Sequence, residues 1–356
     1  MAFLSGSSST TNPTQGDLKN DVEVSEPPND SISDIAWSSA ADLLAVSSWN
    51  NECRIYEIDA QGKSTGKTMY KHEGPVLSVC WSVGGTKVVS GGADKAARMV
   101  DLGGNGQPQQ VAQHDQPIKS VRMFQYQGND MLATGSWDKT VKFWDTRTPN
   151  PAMSVNMQDR VYTMDVRNNS IMVVGCAERY INIFDLSSSN PSQFKTVQSP
   201  LKWQTRVVSC FTDATGFAVG SIEGRCAIQY ANEKDSSKNF SFKCHRASDT
   251  TARDTTKVYA VNAISFHPIH GTFSTAGSDG TFHFWDKDAK HRLKGYPEVG
   301  GSISATSFNR NGNIFAYAVS YDWSKGYAYN TPGYPNKVML HPVAGDECKP
   351  RAGTKR

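Results

Sequence analysis

Two histidines three residues apart, His267 and His270 in the segment HPIHG, have a spacing open to metal ligation. The Pro and Gly around them read instead as a turn between strands, so no metal is expected there. Gly103, Gly104 and Gly106 look like a phosphate cradle, but neither a P-loop lysine nor a strand-to-helix context follows. The chain has no G-x-S-x-G and no H-E-x-x-H, which leaves an enzyme built from a fold-assembled Ser, His and Asp as a remote alternative. No catalytic residue and no cofactor is assigned. Cys53, Cys80, Cys176, Cys210, Cys226, Cys244 and Cys348 form no C-x-x-C pair and read as reduced, mostly buried thiols of a cytosolic or nuclear protein. The chemistry that remains is that of binding. Trp and Arg dominate binding hot spots, and Trp49, Trp137, Arg179, Arg225 and Trp323 each lie within one or two residues of a recurring turn.

That turn is clearest in residues 131–147, MLATGSWDKTVKFWDTR. An apolar run ending in small residues leads to Trp137, Asp138 and Lys139, and an alternating strand follows. Asp138 can bond its own backbone and anchor the reversal. Taking the turn acid or its stand-in as a ruler, the hairpin recurs at Asn50, Asp94, Asp138, Glu178, Glu223, Asp279 and Asp322, at intervals of 44, 44, 40, 45, 56 and 43 residues. A period of about 40–45 residues is that of a four-stranded propeller blade. Shortly after the first six turns the chain reaches a large or apolar residue, followed in most copies by an acid: Tyr56, Val100, Trp144, Phe184, Tyr230 and Trp285.

On these residues the chain resembles the WD40 family over about residues 20–343, which implies an all-β, seven-bladed β-propeller. The resemblance also implies a buried polar network. The third copy has all of it in His114, Thr134, Asp138 and Trp144; the second keeps His72, Ser90 and Asp94 but has Val100 for the Trp; Asp279 and Trp285 belong to the sixth. Asn50 stands where an acid is common, which leaves the first turn's network open.

A closed ring of repeats makes one domain of residues 21–343, with a polar, disordered tail at 1–20 and a charged tail at 344–356. There is no basic leader and no apolar run long enough to span a bilayer, so neither secretion nor membrane insertion is expected. Net charge of +3, from 37 basic and 34 acidic residues, provides no global field for nucleic acid. Residues 21–26, DVEVSE, read as an isolated strand stopped by Pro27 and Pro28. The last copy supplies only three strands, so this one is expected to complete it and remove an open edge. Residues 247–256 read as a mobile polar loop and 322–336 as an ordered surface loop.

In a propeller every turn between second and third strand opens to the same end of the ring, so the five turn-flanking Trp and Arg side chains are expected to share one face. Three exposed tryptophans on one rim point to a covered surface. Arg225 and Arg246, from one blade, are expected to converge on one carboxylate, which guanidinium forks bind bidentately.

A closer resemblance appears at PPNDSIS (27–33), SWDKTVKFWD (136–145), EGR (223–225), FKCHR (242–246), GSDG (277–280) and SYDWSKG (320–326), which are similar to the mRNA export factors of the Rae/Gle type. The resemblance implies a non-enzymatic, nuclear pore associated adaptor that shuttles between nucleus and cytoplasm. Its partner would be the acidic GLEBS segment of a Phe-Gly-repeat nucleoporin, held by Trp49, Trp137, Arg179, Arg225, Arg246, Trp323 and Lys325. The propeller would be a monomer within a heteromeric complex. Contact with single-stranded RNA and mRNA–protein particles is the weaker expectation; Lys325, Lys337, Lys349, Arg351, Lys355 and Arg356 are its candidate phosphate contacts. The mitotic checkpoint scaffold of the Bub type, binding GLEBS-type segments of checkpoint kinases, shares EGR and CHR and is the alternative.

Overall fold

A computed structural model describes residues 14–188, 192–248 and 254–350. Seven antiparallel four-stranded sheets follow one another as blades. The third is the simplest: Ile118–Tyr126, Asn129–Ser136, Thr140–Asp145 and Met153–Asn156 pair in chain order. The first strands of successive blades pack side by side until the seventh meets the first, which closes the ring.

Each second strand lies between two neighbouring blades, so both its faces are covered. Leu43–Ser48, Ile171–Cys176 and Gly216–Ser221 are buried throughout, which is why these segments read as continuous apolar or small runs without alternation. The small residues that end them are a packing requirement. A Cβ on Gly135 would lie 2.6 Å from Cγ1 of Val161 in the next blade. Apolar clusters fill each of the seven blade-to-blade interfaces, for example Phe124, Phe143 and Met164 with Met172 and Phe184 between the third and fourth. Gln229, paired with Phe217, holds in the fifth blade the place that Trp144, paired with Leu132, holds in the third. Tyr230, expected there, is one residue further along.

The ring closes as expected but with a shorter strand. Only Val22–Glu23 pairs, against Leu340 and Met339 of Lys337–Pro342, and the Val24 amide adds a bond to the Val338 carbonyl at 2.8 Å. Residues 14–20 and 344–350, expected in the tails, are built into the closure. The Gly16 and Gly295 amides bond to the Gly295 and Thr14 carbonyls, and Leu18 and Cys348 join the cluster between blades six and seven. His341 stands between Asp21 (2.6 Å) and Glu347 (3.3 Å), and the Tyr317 hydroxyl donates to Asp21 at 2.6 Å. Burial alone would lower the His341 imidazole, but bonds to the two carboxylates outweigh it and raise it to about 9.

The flanks of the expected loop 247–256 differ from expectation: Arg246–Ser248 pairs with Thr256–Val258 as a small ribbon. Its centre, 249–253, lies outside the described residues, as do 1–13 and 351–356 with Arg351, Lys355 and Arg356. The loop after Asp322 is ordered as expected. The Tyr321 hydroxyl bonds the Gly326 carbonyl and the Lys325 amide, and the Tyr334 hydroxyl bonds Ser302.

Candidate functional site

One local device aims all seven turns at the same end of the ring. In each blade a turn amide bonds a carbonyl of the connection entering that blade: Trp49 to Ser31, Ala93 to Pro75, Trp137 to Pro117, Ala177 to Arg160, Ile222 to Gln204, Ser278 to Ala260 and Ser320 to Ser302, all at 2.8–3.1 Å. The residue after each ruler position is left-handed: Asn51, Lys95, Lys139, Arg179, Gly224, Gly280 and Trp323 have φ between 61° and 72°. A bulky side chain is disfavoured there and persists only when its surroundings hold it. At Trp323 the support is Trp49, whose ring centroid lies 4.3 Å away across the closure between blades seven and one.

The polar networks set the turns from below. In blade three His114 joins Asp138 and Thr134, each at 2.7 Å, and the Trp144 indole donates to Thr134 at 2.8 Å. In blade two His72 joins Asp94 (3.0 Å) and Ser90 (2.8 Å), and the Tyr70 hydroxyl, 2.7 Å from Ser90, takes the place of the missing indole. That network is complete, where Val100 had suggested a gap. Blade six repeats it with Asp279 and Trp285, joined by His245 and Thr275, which the sequence reading did not single out. The signal was present in the His of FKCHR, which enters a blade as His114 does. At the first turn Asn50 bonds the Glu52 carboxylate, which pairs with Arg54. Burial works to raise Asp138, but the Thr140 hydroxyl and His114 outweigh it and hold its carboxyl below the usual range. His267 and His270 sit at a turn, with the ring of His267 bonded to the Gly312 carbonyl and the His270 amide. Among the described residues no group of three His, Cys, Asp or Glu side chains is placed to hold a metal.

The expected face residues divide by what they already touch. Trp49 and Trp323 are half-buried against each other, whereas Trp137 is 36% exposed. Arg179 ties down the connection into blade five, donating to the Leu201 carbonyl at 3.1 Å and to Gln198 at 3.2 Å. Lys325 lies over the Tyr329 ring. Arg225 and Arg246 do converge on a carboxylate, and it is the chain's own Glu223, at 3.7 and 3.9 Å. Arg246 also donates twice to the Glu223 carbonyl, at 3.0 and 2.6 Å, so it holds the turn as well as facing outward. These arginines line a pocket of about 440 Å³ with Pro200, Leu201, Lys202 and Ser241. Exposed Trp203 (61%) and Ile222 (38%), in the connection and turn beside it, add an apolar border that the sequence reading missed. Trp203 lies 20 residues before its ruler position, Glu223, so a search close to the turns passes over it.

Seven four-stranded blades, three of which carry a His–Asp network behind the turn, with aromatic and cationic side chains on the turn-bearing face, define a WD40 β-propeller. The family model described as "WD domain, G-beta repeat" matches residues 23–57, 63–101, 106–145 and 250–286. The chain is 63% identical to the "mRNA export factor GLE2" of Chaetomium thermophilum over 100% of both chains. It is 55% identical to the "Poly(A)+ RNA export protein" of Schizosaccharomyces pombe over 98% of each, and 47% to "Protein Rae1" of Drosophila melanogaster over 93% of this chain and 96% of that one. The chain belongs to the Rae/Gle family of mRNA export factors.

Proposed function

We propose that this protein is a non-enzymatic adaptor in mRNA export, working at the nuclear pore and shuttling to the cytoplasm, and that its turn-bearing face holds an acidic GLEBS-type segment of a Phe-Gly-repeat nucleoporin. The pocket at Arg225, Arg246 and Lys202, bordered by Trp203 and Ile222, carries this reading. Two guanidinium groups face one internal carboxylate there, which also accepts from the Lys202 amide, and this leaves positive charge for an incoming acid. Trp137 offers an apolar anchor on the same face. The names of the relatives support the export role; RNA contact is the secondary part of the proposal, through exposed lysines such as Lys325.

Calorimetric titration of a GLEBS peptide at two salt concentrations tests it. Arg225→Glu puts like charges together at the contact and is expected to weaken binding by several kcal/mol. Trp137→Ala is expected to cost about 2 kcal/mol or more. Lys349→Glu, at an exposed position of the C-terminal segment, should bind like the parent. Parent-like binding by both Arg225→Glu and Trp137→Ala would overturn this use of the face.

A further inference from the structure

The ring of first strands encloses a cavity of about 650 Å³ whose charges do not balance. Lys119, Arg122, Arg167 and Arg206 line it against two carboxylates, Asp34 and Asp165. Both acids are occupied by structural bonds. Asp34 accepts from the Ser78 hydroxyl (2.9 Å) and the Val79 amide (3.2 Å) of the next blade. Asp165 accepts from the Cys210 amide at 2.7 Å and from Arg122 at 3.4 Å. Arg122 lies between the two acids, 3.9 Å from Asp34.

Lys119 and Arg206 are left over. They occupy equivalent places, each the residue after the first of its strand, where Ile118 pairs with Ser136 and Thr205 with Ser221. Both therefore stand at the end of the cavity nearest the turn-bearing face. Lys119 has no hydrogen bond and no ion pair among the described residues. Arg206 bonds only neutral acceptors, the Asn262 side-chain oxygen at 3.0 Å and the Asp322 carbonyl at 3.4 Å. Ser304, at the same level in blade seven, has a buried hydroxyl oxygen without a partner. Burial lowers the Lys119 ammonium, with Arg206 and Arg122 adding to the effect against the pull of Asp34. A cation drawn from water and left beside other cations favours a bound counterion.

We propose that the mouth of this cavity binds a small phosphate-bearing anion between Lys119 and Arg206, with the Ser304 hydroxyl as a further donor. Donors from three different blades approach from separated directions. That arrangement suits a tetrahedral group with oxygens on all sides better than a carboxylate, whose acceptors lie in one plane. The shared chemistry is the phosphate group, free or as an ester.

Titration of the full chain with pyrophosphate, against sulfate at equal ionic strength, tests the site. Saturable one-to-one binding, tighter than that of sulfate, is expected. Lys119→Gln and Arg206→Gln are each expected to weaken it about tenfold, the loss of one charge-assisted contact. Lys119→Arg should retain it, and Arg225→Gln, at the separate pocket, should leave it unchanged. If Arg206→Gln does not fold, Lys119→Gln decides alone, since that side chain holds no bond in the fold. ADP binding as tightly as pyrophosphate assigns the site to phosphate esters, and ADP exclusion assigns it to the free anion; both support it. Pyrophosphate binding no tighter than sulfate, or equally well to Lys119→Gln, overturns the proposal.

Discussion

Asp138 accepts from His114, from the Thr140 amide and hydroxyl and from the Asp115 amide, at 2.6–3.2 Å. Its counterpart Asp94 makes longer contacts, at 3.0–3.5 Å. Asp138→Ala is therefore expected to cost about 1–3 kcal/mol and Asp94→Ala the lower part of that range. Chemical denaturation giving the reverse order would refute the ranking. Tyr70→Phe supplies a separate check on blade two: it leaves the Ser90 hydroxyl short of one partner and should cost about 1 kcal/mol. The two pocket arginines should also separate. Arg246→Glu removes two bonds to the Glu223 carbonyl and sets an acid beside Glu223, so it should lower stability measurably, whereas Arg225→Glu should act on binding with little change in melting temperature. Equal melting temperatures for the two variants would show that Arg246 does not hold the turn.

At the scale of elements, the closure is a three-part clasp in which His341 joins the segment carrying Asp21 to the one carrying Glu347. Its imidazole is raised to about 9 from the usual value near 6.5. The protonated ring is thus favoured in the folded state, and its stabilisation is fully present below about pH 6.5 and lost as pH rises through about 9. The melting temperature should fall over that interval in the parent and fall less in His341→Gln. Glu347 acts at the other end of the scale: burial is outweighed by His341, its carboxyl is lowered, and its contribution is lost as pH falls. Identical alkaline profiles for parent and His341→Gln would remove the charge from the account.

At the scale of the whole molecule, Val22–Glu23 supplies the fourth strand of the last sheet and so joins the two ends of the described chain in one blade. Each blade packs on two neighbours, so weakening the clasp should shift one cooperative transition without splitting it. A deletion through residue 20 should lower the midpoint by removing Leu18 from its cluster, and a deletion through residue 24 should lower it further. Scanning calorimetry reads both; two resolved transitions in either deletion would show that the blades unfold independently.

The blade number, the period and the need for a borrowed strand are legible in the sequence, because each turn must reverse the chain locally and a local reversal needs particular residues at a fixed spacing. The polar network of blade three is legible for the same reason. What touches what across the ring is not. Tyr70 completes the network of blade two from the outer strand of blade one, and Trp323 meets Trp49 although 274 positions separate them in the chain. Those outcomes depend on how far each blade turns relative to its neighbour, and that rotation is set by seven packed interfaces at once. The charge excess in the cavity has the same origin, since Lys119 and Arg206 are unremarkable in their own strands and come to face one space only when the ring is closed.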